Sequence, residues 1–271
     1  MKKRFNDFKS YALITGAASG MGRIYAVELA RMGYNLVLVD INAEGLEQTK
    51  HQVKEVTGLP VEIMNICQDL SRPDAADVIF NITEKAGCFV EVLINNAGVM
   101  YCQGIAETSE RMLNLIMMVH MVTPFMLCRK YVNGMKERGN GYILNISSIS
   151  AWMIWPGRGM YGITKRFVKD YSRELRIECR RTGVSVTNAY FGAVDTPLVP
   201  LKEKYRKLAR ALAVMITPEK AASRALRATF KRRRGVVPGF LNKIFIPICA
   251  IMPDCLLSFA YRKAKPYLMK V

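Results

Sequence analysis

Neither a C-x-x-C pair nor a histidine-rich cluster occurs in the 271 residues, which hold only two histidines, so metal binding has no ligand pattern to rest on. The seven cysteines are scattered. An odd number of them, without a signal peptide, implies reduced thiols and a cytoplasmic setting. Five of the first nine residues are charged, and no long apolar run precedes the first expected strand. Internal repeats and low-complexity linkers are missing as well. Acidic residues are scarce, 22 Asp and Glu against 40 Lys and Arg, for a formal net charge of +18. What is abundant is apolar: 51% hydrophobic residues at 23% charged support a full core and exclude compositional disorder. The length suits one large domain.

The positive charge is unevenly placed. Residues 202–271 carry 17 Lys and Arg against Glu203, Glu219 and Asp254, whereas residues 1–201 are close to balanced, with 23 basic and 19 acidic side chains.

Short apolar runs alternate with helical stretches through the first 190 residues or so. Strands are expected at 11–15, 35–40, 61–66, 90–95, 141–147 and 184–189, with helices near 21–33, 43–57, 73–87, 108–138 and 160–182. The strands are continuous apolar runs, as a sheet covered on both faces requires. Repeated strand–helix–strand order implies right-handed crossovers and a doubly wound, Rossmann-type parallel sheet of the α/β class. Residues 1–238 would form this domain, with Val236-Val237 as a last strand, and 239–271 an extension.

The first strand runs into Gly16-Ala-Ala-Ser19-Gly20-Met21-Gly22 and then a helix. Glycines there let the backbone approach a pyrophosphate, which free N–H groups at the helix start would hold. The spacing is Gly-x-x-x-Gly-x-Gly, not the general dinucleotide fingerprint, and an ordinary strand-to-helix turn is the alternative. Asp40 closes the second strand, where a carboxylate accepts both ribose hydroxyls of NAD and repels the 2′-phosphate of NADP. Ser19 and Ile41, at positions where a phosphate-binding cation would stand, are uncharged. NAD(H) is therefore expected over NADP(H), with a plain strand-end cap as the other reading of Asp40.

Tyr161-Gly-Ile-Thr-Lys165 falls on an expected helix, where residues four apart share a face. An ammonium beside a phenol favours the phenolate and draws its pKa down from about 10. Such a tyrosine is an acid or base for an alcohol/ketone couple. Ser148, after the fifth strand, is placed to donate a hydrogen bond to the substrate oxygen.

Together these motifs resemble the short-chain dehydrogenase/reductase family. The glycine turn 16–22, Asp69-Leu70, Asn95-Asn96-Ala97-Gly98, Ser148 thirteen residues before Tyr161, and Phe191-Gly192-Ala-Val194-Asp-Thr196 agree with it in order and spacing over residues 10–238. The resemblance implies that Asp69 and Leu70 border the adenine and Asn96 seats the adenosine side. It implies that Lys165 holds the nicotinamide ribose, and that Gly192–Thr196, Val194 included, meets the carboxamide. Tyr161 would pass the proton while Ser148 holds the reacting oxygen. It also implies a mobile substrate lid at 196–230 and a homo-oligomer built on the fourth and fifth helices.

Two positions depart from the family pattern. His120 stands where an asparagine is usual, and Asn114, six residues earlier, points about 240° away on a helix. His120 either holds a water in a proton relay, which would be pH-sensitive near pH 6.5, or is a structural histidine bonded to backbone. Phe191 replaces a proline and bears on loop stiffness.

Met153, Ile154, Trp155 and Met160 flank the serine and tyrosine. As a substrate wall they favour an apolar alcohol or ketone, such as a hydroxysteroid or lipid ketone; as core or subunit contact they say nothing of substrate. Arg158 leaves a charged substrate open. Within the extension the longest uncharged run, 244–253, is ten residues with two prolines, too short to span a membrane. With Lys231-Arg-Arg-Arg234 before it and Arg262-Lys-Ala-Lys265 after it, the segment suits a peripheral anchor on an anionic membrane surface. Equally, it is a packing arm. Nucleic-acid binding is disfavoured, since no reader module or interleaved aromatics accompany the charge. The competing functional class is an NAD(H)-binding regulatory or scaffold protein with little turnover.

Overall fold

Seven strands pair in parallel in the spatial order 63–67, 35–40, 10–15, 89–95, 141–148, 184–191 and 235–236, and the reversal of order between 10–15 and 89–95 places a crevice at the carboxyl ends of the central strands. The computed structural model describes residues 10–101, 103–154, 159–196, 207 and 215–268. In chain order the elements are β1 (Ser10–Thr15), α1 (Gly20–Arg31), β2 (Asn35–Asp40), α2 (Ala43–Thr57), β3 (Ile63–Cys67) and α3 (Ala75–Lys85). Then follow β4 (Phe89–Asn95), α4 (Glu110–Met117), α5 (Thr123–Glu137), β5 (Gly141–Ser148), α6 (Met160–Glu178) and β6 (Val184–Phe191). β7 (Ala193–Val194), β8 (Met215–Ile216), α7 (Pro218–Phe230), β9 (Gly235–Val236), α8 (Phe240–Ala250) and α9 (Asp254–Leu268) complete the described chain.

Alternation along each strand divides the core in two. Ala12, Ile14, Leu36, Leu38, Ile94 and Leu144 point toward α1, α2 and α7. Leu13, Val37, Val39, Leu93, Ile143 and Val186 point the other way, toward α3, α5 and α6. Both faces are thus dry, which is why these strands carry unbroken apolar runs.

The expected helix at 108–138 is present with an interruption. Met118–Val122 forms a π-helical turn between α4 and α5. That turn carries His120 into the interior, where it is 1% exposed. By length and composition the joined run Glu110–Glu137 is apolar enough to cross a membrane, but it packs on α3, β4, β5 and α6.

Three expectations change. The third strand starts two residues late, at Ile63. The lid expected at 196–230 divides: 197–206 and 208–214 lie outside the described residues, while α7 buries Ala221, Ala222, Ala225 and Leu226 against the sheet and α1. Its second half is a covering helix, not a lid. The basic run 231–234 lies at the amino end of β9, with α8 and α9 beyond the other end, so β9 separates it from the apolar segment it was expected to flank. Trp155 and Arg158 lie outside the described residues.

Candidate active site

A cleft of about 610 Å³ opens at the carboxyl ends of the strands and gathers the glycine turn, Asp40, Asp69, Leu70, Asn96, His120, Tyr161, Lys165, Val194 and Thr196 along one wall system. Its geometry begins at β1. Gly16 has φ +68°, and a Cβ there would sit 2.9 Å from Ala97 Cα. At Gly22 a Cβ would lie 1.9 Å from the Gly16 carbonyl oxygen. Only glycine lets the turn fold onto the start of α1, so the sequence leaves a cradle of backbone where a diphosphate fits. Ser19 is the N-cap of α1, and its side chain makes no capping bond. Ser19, Gly20 and Met21 line the cleft.

Asp40 is tied to this turn. Its Oδ2 accepts from the Ala18 N–H at 3.1 Å, and Oδ1 from the Asn42 N–H at 3.0 Å. Next to it the cleft is lined by Ile41, and Lys165 is its only basic residue among the described lining. Arg23, one turn into α1, is not part of the described lining and donates to the Ala18 carbonyl and to Thr49 Oγ1.

On the opposite wall, Asn96 fastens β4 to β1. Its Nδ2 donates to the Thr15 carbonyl at 3.0 Å and its backbone N–H to Thr15 Oγ1, also at 3.0 Å. Asp69 Oδ1 accepts from the Ser71 N–H and hydroxyl at 2.8 and 2.7 Å. The Leu70 carbonyl accepts from Thr123 Oγ1 at 2.8 Å, and its side chain is buried.

The first two turns of α6 deliver Tyr161 and Lys165 to the cleft. Both are buried, and Lys165 Nζ lies 5.7 Å from the Tyr161 ring centroid. Nζ donates to the Ile146 carbonyl at 3.0 Å. With no carboxylate to offset burial, the lysine pKa falls from 10.5 to about 8.

His120 packs edge-on against Tyr161, ring centroids 5.7 Å apart. Its Nε2 accepts from the Val99 N–H at 2.9 Å, so that nitrogen carries no proton. Thr164 Oγ1 donates to the Tyr161 carbonyl at 2.9 Å, which leaves its oxygen to accept from His120 Nδ1 at 3.0 Å. The ring is therefore a neutral Nδ1–H tautomer with both nitrogens engaged. Burial, and then the Lys165 charge, hold its pKa well below 6.5. A titrating relay through this ring does not fit: the residue is bonded to backbone and Thr164.

Two expected site residues are not in the cleft lining: Gly22, folded against the Gly16 carbonyl, and Ser148. Ser148 Oγ donates to Ser150 Oγ at 3.1 Å and accepts from the Ser150 N–H at 3.2 Å. Neighbouring Ser147 lines the cleft and donates to the Lys165 carbonyl at 2.9 Å. Two positioning residues escape a reading by motif: Thr15, whose hydroxyl also accepts the Ala97 N–H at 3.1 Å, and Thr164. Only the i−1 spacing of Thr164 to Lys165 hinted at it. Beyond Tyr161 the wall is apolar, formed by Val99, Met100, Leu115, Val119 and Phe191. Among the described residues no group of three or more His, Cys, Asp or Glu side chains is arranged to hold a metal ion.

The short chain dehydrogenase family model matches residues 10–207. The chain is 32% identical over 203 residues to mouse (Mus musculus) 17-beta-hydroxysteroid dehydrogenase type 3, covering 73% of this chain and 65% of the relative. It is also 32% identical over 201 residues to mouse very-long-chain 3-oxoacyl-CoA reductase, covering 71% and 62%. It thus spans somewhat under two thirds of the length of either relative. A solved structure of a 7beta-hydroxysteroid dehydrogenase superposes with a TM-score of 0.79 at 26% identity, covering 88% of this chain and 90% of the other.

Proposed function

The chain belongs to the short-chain dehydrogenase family, oxidoreductases acting on CH–OH groups with a nicotinamide cofactor, and from that premise we propose that it interconverts an apolar secondary alcohol and its ketone using NAD(H). The observation that carries this reading is one cleft holding the glycine turn and Asp40 at one end and Tyr161 with Lys165 at the other. The cofactor, when bound, supplies the hydride acceptor or donor. Gly16–Gly22 would hold its diphosphate by backbone N–H groups, and Asp40 its adenosine ribose hydroxyls. The absence of a cation beside Asp40 in the described lining supports NAD over NADP.

The chain's own residues handle the proton. Lys165, buried and charged below about pH 8, favours the phenolate of Tyr161 and would hold the nicotinamide ribose. Tyr161 takes the hydroxyl proton as the alcohol is oxidised and returns it in reduction. Ser148 orients the reacting oxygen after its hydroxyl turns from Ser150 toward the cleft. His120 is a neutral positioning residue between the Asn96–Val99 loop and α6.

The apolar wall supports a hydroxysteroid-like or lipid-ketone substrate, as do the hydroxysteroid and long acyl substrates named for the relatives. Exposed Ile244 and Ile248 on α8, Ile251 just after it, and Leu256 and Phe259 on α9 support contact with a membrane surface. Exposed Val122, Phe125 and Ile163 support a second copy on the α5 and α6 face. The test is initial-rate absorbance at 340 nm with NAD or NADP against hydroxysteroids, long-chain hydroxy lipids and small polyols. Turnover of the apolar alcohols with NAD is expected; turnover with NADP alone, or with polyols alone, overturns the assignment.

A further inference from the structure

Six arginines line one groove of about 520 Å³, and among the described residues no Asp or Glu lines it with them. Arg173, Arg176, Arg180 and Arg181 come from α6 and the turn after it; Arg232 and Arg234 come from the segment between α7 and β9. The groove sits at the amino ends of β6 and β9, on the edge of the sheet opposite the catalytic cleft.

Two of the six are tied into the fold. Arg176 donates to the Val186 carbonyl at 2.8 Å, to Ser185 Oγ at 3.2 Å and to the Arg232 carbonyl at 2.7 Å. Arg232 donates to the Gly183 carbonyl and to Asn140 Oδ1, and its guanidinium lies 4.7 Å from the Tyr142 ring centroid. The side chains of Arg173, Arg180, Arg181 and Arg234 are exposed and make no hydrogen bond or ion pair with any described residue. Four cationic forks therefore stand exposed at the rim.

The backbone is held in an unusual way at the same place. Arg181, with φ 67°, and Arg232, with φ 53°, are the non-glycine residues at positive φ among those described. Each follows the end of a helix, a position where glycine is the low-energy choice. Strain spent on a cation rather than relieved by glycine is a mark of use. The ends of α6 and α7 supply about half a negative charge each, which offsets about one of the six positive charges. Arg176 is depressed below its ordinary pKa, by burial first and then by Arg234 and Arg232, as expected where cations are left uncompensated.

We propose that this groove binds a compact anion carrying several phosphoryl groups, either a soluble polyphosphate or a phosphorylated lipid headgroup. Guanidinium forks match phosphate oxygens in pairs. The volume is that of a small-ligand site, and among the described residues no aromatic side chain lines it to stack a base, which disfavours a nucleic-acid strand.

The test uses the full chain at about 150 mM salt, where scattered surface charge is screened. Two probes are titrated: inorganic tripolyphosphate by calorimetry, and phosphatidylcholine vesicles with and without phosphatidylinositol bisphosphate by co-sedimentation. Arg180→Glu with Arg234→Glu neutralises the exposed rim, and Lys54→Glu with Lys85→Glu changes net charge equally on exposed positions elsewhere. Arg181→Gly removes one cation while relieving its backbone, so it folds at least as well as the parent. Binding of one probe or both, weakened about fivefold by Arg181→Gly, more by the rim pair and little by the control pair, is the expected result. Tripolyphosphate alone names a soluble source, and bisphosphate vesicles alone a lipid one. Silence with both probes, or equal loss in the control pair, overturns the site.

Discussion

At the scale of single residues, His120 shows how far a side chain can be carried from its free chemistry. In the unfolded chain it titrates near pH 6.5, whereas in the fold it is buried, neutral and doubly bonded. The unfolded state therefore binds the extra proton first. Stability contributed by neutral His120 is complete above about pH 6.5 and is lost as pH falls below it. Thermal unfolding followed from pH 7 to pH 5 should show this loss, and His120→Asn should flatten it; an unchanged slope would count against the neutral assignment. The same variant separates roles in catalysis, because no inflection near pH 6.5 in kcat/KM should disappear with it. Asp40, Tyr161 and Lys165 were legible in sequence because spacing alone places them, a strand end and one helical turn. The state of His120 was not legible, since its partners Val99 and Thr164 come together only through the π turn.

At the scale of elements, the strands declared themselves by composition. Runs such as Asn35–Asp40, buried on both faces, have no reason to alternate with polar residues. The glycine turn was equally plain, and the structure supplies its steric reason. Gly22→Ala drives a methyl group into the Gly16 carbonyl. It should abolish NADH binding, read by fluorescence titration, and lower the melting temperature; binding within twofold of the parent would mean that the turn yields and is not the cradle described. Two elements misled the reading. The helix at 218–230 was expected in a lid, yet its alanines, Ala221, Ala222 and Ala225, are the small residues that let it lie close on α1 and the sheet. The π turn left no mark in the apolar periodicity, because one extra residue shifts the face by less than a helical stripe is wide.

At the scale of the whole molecule, the catalytic cleft and the apolar α8–α9 segment sit at the carboxyl edge of the sheet, and the arginine groove at the other. The net charge of +18 is therefore not one property. Part of it lines a groove whose members are distant in sequence, from Arg173 to Arg234, and no linear reading joins them. The apolar α8–α9 surface makes a separate prediction. Ile251 is 82% exposed, and Ile251→Glu should reduce flotation with anionic vesicles while leaving NADH affinity unchanged. Flotation unaffected by this change would favour a packing role for the segment.

The central claim is that Tyr161 carries the proton in a hydride transfer within this cleft. The most direct measurement compares parent and Tyr161→Phe for NADH affinity and for single-turnover oxidation of an alcohol that the parent accepts. The account predicts NADH binding within about twofold and a rate lower by roughly 10²–10⁴-fold, the usual contribution of a positioned acid or base. A variant that turned over at the parental rate would contradict it, and the fold would then serve as a cofactor-binding scaffold with its chemistry elsewhere.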